Sequence, residues 1–131
     1  QQSDGPGLGQ NHFSCEWLGL FQVPTTQNYN IYAESDDEIA LWIGTAATGT
    51  PADGTRLLGS TNKSLPANAA DTGVKGINSV TLTAGQWYPV RVWMTEFTGG
   101  CKAQVYFQGA NGNKYNGSGL TWAYNTATGG F

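Results

Sequence analysis

The run Glu38-Ile39-Ala40-Leu41-Trp42-Ile43-Gly44 restricts the fold more than any other stretch of the chain. Ile39, Leu41 and Ile43 fall on one side of an extended backbone and Ala40 and Trp42 on the other, a period of two that reads as a strand with one buried face. The same period returns at Tyr29, Ile31 and Ala33, at Val80 and Leu82, at Tyr88, Val90, Val92 and Met94, and at Cys101, Ala103, Val105 and Phe107. Turn residues such as Pro24, Ala84-Gly85-Gln86 and Thr98-Gly99-Gly100 separate these runs. No segment shows a convincing helical period. Nineteen glycines and a charged fraction of 11% suit short strands joined by many turns. An all-β fold is expected.

Strands are read over Phe13 to Gln22, with Trp17 and Phe21 in the core, and over Trp87 to Glu96, where Pro89 marks an edge strand or a strand start. Thr98-Gly99-Gly100 would fold that last strand back on Cys101 to Gln108 as a hairpin. Residues 45 to 78 read as a long surface connection with a strand or two inside it, and Leu120 to Tyr124 as a final strand. At 131 residues there is room for one core. The expected division is an N-terminal arm over 1–12, one domain over 13–124 and a tail over 125–131. Because the chain begins at Gln1, it reads as a processed piece of a longer protein with flanking domains.

Charge excludes two classes of partner. Six Lys and Arg, unclustered, and a net charge of −3 leave no footprint for nucleic acid or an anionic membrane. No apolar run is long enough to cross a bilayer. Cys15 and Cys101, the only cysteines, favour a disulfide in an export-type environment, with two buried thiols as the alternative. A zinc site is excluded, since His12 adds only one more soft ligand.

Ser35-Asp36-Asp37-Glu38 places three adjacent carboxylates at the mouth of the strand that follows. Such a cluster is commonly a solvated turn, because Asp bonds its own backbone. In a chain so poor in cations, a hard oxygen-seeking ion such as calcium relieves the repulsion more simply, with Asp36 and Asp37 as its ligands. The polar segment Gly109 to Gly119 is a second source of amide and carbonyl oxygens. Catalysis is not expected. Glycoside hydrolysis needs carboxylates placed across a cleft, and a Ser-His-Asp arrangement would have to draw on His12 in the arm.

The strings Trp17-Leu18-Gly19-Leu20-Phe21-x-x-Pro24, Tyr29-x-Ile31-Tyr32-x-x-Ser35-Asp36-Asp37-x-x-x-Leu41-Trp42-Ile43-Gly44 and Val80-x-Leu82-x-Ala84-Gly85-x-x-Tyr88-Pro89-Val90-Arg91 resemble one known family. It is the domain of anthrax protective antigen and of fungal flocculins, the PA-fourteen and GLEYA-related type, found also in adhesins and glycosidases. The resemblance covers roughly residues 13 to 124 and implies an antiparallel β-sandwich with its site on long loops at one end. Lectin members hold calcium through two consecutive aspartates joined by a cis peptide, here Asp36 and Asp37. A later loop adds an asparagine and two backbone carbonyls, which position after the expected hairpin assigns to Asn116, Ser118 and Leu120, with Asn113 as the fallback.

The implied function is calcium-dependent binding of glycans with vicinal hydroxyls, as a module of an extracellular or cell-surface adhesin or fibre. The alternative is a structural or assembly domain of a viral or bacterial surface protein whose calcium binds no sugar. Tyr115, Trp122 and Trp42 are candidates for stacking on a sugar ring, although both tryptophans lie on strands, where covering the sheet is the plainer role. Glu38 is either an outer-shell acid or solvated surface.

Overall fold

The structure, a computed structural model, describes residues 13–36, 38–52, 57–59, 74–96, 102–115, 119–127 and 129–130. Nine strands and one helical turn follow in order: β1 (Phe13–Gln22), β2 (Gln27–Asp36), β3 (Glu38–Ile43), α1 (Thr45–Thr48), β4 (Leu58–Gly59), β5 (Val74–Leu82), β6 (Tyr88–Glu96), β7 (Lys102–Gly109), β8 (Lys114–Tyr115) and β9 (Thr121–Ala123). They form two antiparallel sheets, a first of order β4-β3-β6-β1-β9 and a second of order β5-β2-β7-β8. No helix among the described residues is long and apolar enough to cross a membrane.

The two-residue period places Phe21, Ile39, Leu41 and Val90 of the first sheet against Tyr29, Ile31, Ala33 and Phe107 of the second, all of them buried. Phe21 is the hub. Its ring lies 5.8 Å from Tyr88, 5.7 Å from Trp122 and 5.1 Å from Phe107, so one side chain joins three strands and both sheets. Tyr29 is buried with its hydroxyl donating to the Thr25 carbonyl at 2.7 Å, which satisfies the polar end of that side chain.

Several expectations are corrected. β3 is covered on both faces: Ile39 and Leu41 face the core, while Trp42 is buried on the other side with Nε1 donating to the Ala52 carbonyl at 3.1 Å. The turn α1 stands beside it, four residues long and too short to carry a helical period. Glu96 and Lys102 do not bound a hairpin. β6 lies in the first sheet and β7 in the second, and the hairpin present is β7–β8, closed by Gly109 and Asn113. Glycine-rich turns serve a change of sheet as well as a hairpin. Of the two places read for Pro89, the strand start holds and the edge does not: it is the second residue of the central strand β6, and its carbonyl accepts from the Gly44 amide at 2.8 Å. The strand or two expected inside residues 45–78 are β4 and the start of β5 at Val74.

Trp17 faces inward yet is 41% exposed, and Ala103 is exposed as well, because the sheets part between β1 and β7. The gap is an apolar groove of about 300 Å³ lined in part by Trp17, Val92, Val105, Phe107 and Trp122. At the chain's end an Asn125–Gly130 bridge folds back so closely that a side chain at Gly130 would run into Leu18.

Candidate functional site

The chain passes from the second sheet to the first between Asp36, the last residue of β2, and Glu38, the first of β3. Asp36 pairs with Lys102 at the start of β7, and Glu38 with Thr95 near the end of β6. Both flanks of the acidic crossing are thus hydrogen-bonded into sheets. Asp36 is described by its backbone alone. Asp37, Asn116, Ser118 and Cys101 lie outside the described residues, as does His12.

The same end buries two polar residues completely, Ser35 and Glu96. Glu96 closes β6 on its inward face, one residue beyond Thr95, the partner of Glu38, and opposite Phe13. Glu96 belongs to no motif in the sequence. Its alternation with Val90 and Met94 was a signal that it points inward, and an acid on the inward face of a strand demands compensation. Arg91, on the other face of β6, binds Glu16 and the Ala47 carbonyl. Among the described residues no group of three or more His, Cys, Asp or Glu stands close enough to hold a metal ion.

Leu120, the one other expected ligand among the described residues, lies away from this end. Leu120 precedes Thr121, which pairs with Gln22 at the far end of β1, whereas Glu38 is level with Ser14 through Thr95. Eight residues of β1 separate those levels, about 26 Å at a strand's rise. Leu120 is instead a core residue, packed in the cluster that contains Phe21, Val23 and Tyr29. Its carbonyl cannot share an ion with Asp36. Tyr115 pairs with Phe107, five residues along β7 from Lys102 and thus about 17 Å from the level of Asp36.

The stacking candidates are likewise displaced. Tyr115 packs edge-on against Tyr29, with ring centroids 6.2 Å apart. Trp122 is 48% exposed but pairs with Phe21 at the far end, and Trp42 is buried. Asn113 closes the β7–β8 hairpin, also at the far end. Cys15 pairs with Met94 on β1, near the acidic end.

Comparison with known proteins agrees with this architecture. The family model of the GLEYA domain matches residues 13–109. The chain belongs to the GLEYA domain family.

No curated protein matches this GLEYA domain in sequence. Among solved structures it is similar to the A domain of epithelial adhesin 6 from Candida glabrata, in complex with Galβ1-3GlcNAc, with TM-score 0.68 and 16% identity over 93% of this chain. It is similar also to the A domain of epithelial adhesin 9 from the same organism, in complex with Galβ1-4GlcNAc, with TM-score 0.66 and 16% identity over 86% of this chain. At that identity the likeness is one of fold. The chain spans about half the length of these structures, 56% and 52% respectively.

Proposed function

We propose that this GLEYA domain is a calcium-dependent carbohydrate-binding module of a cell-surface adhesin, with its ion held by Asp36, Asp37 and Glu96. Membership of the GLEYA family and the sugar complexes of the similar epithelial adhesin domains support the glycan. The observation that carries the ion is the complete burial of Glu96 at the end where the acidic crossing joins the two sheets. A buried carboxylate costs several kcal/mol unless opposite charge or hydrogen bonds compensate it, and Glu96 follows directly on Thr95, the partner of Glu38.

The donor set suits a hard cation. Calcium takes six to eight oxygens, and carboxylates are its preferred source of compensating charge. Glu96 takes the place in this reading that resemblance assigned to an asparagine, and it leaves Asn116, Ser118 and Leu120 unnecessary. When bound, calcium would supply open positions for two vicinal hydroxyls of a sugar. The protein's share is to fix the acids: β2 and β3 are paired up to Asp36 and from Glu38, and β6 delivers Glu96 from a central strand. A single sugar exchanges hydroxyls for waters and so binds weakly; firm attachment follows from many copies on one surface. A disulfide between Cys15 and Cys101, and an extracellular location, belong to the same reading.

Calorimetry with calcium and a glycan array with and without chelator test it. Asp36→Asn, Asp37→Asn and Glu96→Gln should each weaken calcium binding, and chelator should abolish glycan binding by the unaltered domain. A calcium-induced rise in thermal stability with no glycan signal would favour the structural module. Unchanged calcium affinity in Glu96→Gln would remove Glu96 from the site.

A further inference from the structure

The outward face of the first sheet carries a second cluster. Arg91 donates through Nε to the Ala47 carbonyl at 2.8 Å and through Nη1 to Oε1 of Glu16. Trp93 donates through Nε1 to the same Oε1 at 2.6 Å, and its ring meets that of Trp42 edge-to-face at 5.1 Å and 68°. The Trp93 indole is therefore pinned both at its nitrogen and along one side, yet it remains 41% exposed. Glu16 accepts both of these bonds on Oε1, and its side chain is 39% exposed, which leaves the carboxylate with capacity to accept a further hydrogen bond.

The surroundings define an open patch. Register places Ala40, Trp93 and Glu16 side by side across three strands, so on its β3 side the ring is flanked by the Ala40 methyl group and by the edge-to-face Trp42 ring. One step along, Ser14 and Thr95 present their hydroxyls 3.2 Å apart on the same face. Elsewhere on this face the Ala47 and Ala52 carbonyls bind Arg91 and Trp42, and the terminal bridge packs on Leu18.

We infer that Trp93 and Glu16 form a second carbohydrate subsite, one that takes a neutral pyranose ring without a metal ion. An exposed, immobilised indole offers its π-face to the apolar C–H face of a sugar, and a carboxylate oxygen beside it accepts from a hydroxyl. Arg91 cancels the charge of Glu16, which disfavours a cationic guest and favours a neutral one. Ser14 and Thr95 add donors and acceptors at the rim. Because both side chains are already held in place, little ordering opposes binding.

The test is a titration of the isotope-labelled domain in EDTA with methyl β-galactoside, methyl α-mannoside and methyl β-glucoside, followed by the indole N–H signals. Trp93 and the amides of Glu16 and Thr95 should shift with at least one sugar, while Trp42, which is buried, reports that the fold is intact. Glu16→Gln should weaken the response about tenfold, the loss of one bond to a charged acceptor, and Trp93→Ala should abolish it. No shift at Trp93 with any of the three sugars overturns the subsite. So does a response indifferent to both substitutions. EDTA separates this outcome from the calcium reading, which stands or falls on Glu96 and the acidic crossing.

Discussion

Where β2 passes into β3 the domain buries Ser35 and Glu96 completely, whereas where β8 and β9 close the opposite end it buries Leu120, Val23 and the ring of Phe21. Both ends carry polar, turn-rich sequence. One end buries a carboxylate, and the other is closed by apolar packing. On the proposed reading, burial of charge rather than abundance of oxygen-bearing loop residues is what sets the two ends apart.

The largest effect belongs to the apolar end. Phe21→Ala removes the ring that joins Tyr88, Phe107 and Trp122 and should cost about 3–5 kcal/mol, with or without calcium. Chemical denaturation measures it. A loss that appears only with calcium present would mean the two ends are not independent.

At the acidic end the sign depends on the ion. Calcium at a thousand times its dissociation constant should stabilise the domain by about 4 kcal/mol, and EDTA should remove that gain. Glu96→Gln should lose most of the calcium response and, in EDTA, be as stable as the unaltered domain or more so, since a buried charge has been deleted. Destabilisation by Glu96→Gln in EDTA would show instead that the carboxylate is a structural partner within the protein. Melting curves of both proteins in the two buffers decide the matter.

The contrast also explains what was legible in the chain. The period of two made Ile31, Ile39, Leu41, Val90 and Phe107 readable as core, and the motif strings made the family readable. Asp36 and Asp37 stand out because their spacing is local. Leu120 and Tyr115 were misplaced because their position depends on which sheet each strand joins. Thr98-Gly99-Gly100 looks like a hairpin turn, yet the strands on either side of it belong to different sheets, and every later level shifts with that choice. Trp17 was misread for a related reason: inward orientation buries a side chain only where the opposing sheet meets it.

A smaller effect sharpens the far end. Gly119 has φ +83°, and a Cβ there would stand 2.7 Å from the Tyr115 ring, so Gly119→Ala should cost about 1–2 kcal/mol through the left-handed backbone. Calcium affinity by calorimetry should not change. If it does, the Tyr115 loop reaches the ion after all, and the distance drawn from strand register is wrong.

The smallest effect concerns the face between the two ends. Glu16→Gln weakens an exposed pair with Arg91, for which about 0–1 kcal/mol is the usual range. Arg91 keeps its bond to the Ala47 carbonyl, and Trp93 Nε1 still finds an amide oxygen at position 16. Stability by denaturation should therefore hardly move, and the calcium response should match that of the unaltered domain. A loss well above that range would make Glu16 a strut joining β1 to β6. In that case its contact with Trp93 would serve the sheet, and the indole would have no carboxylate to spare for a ligand.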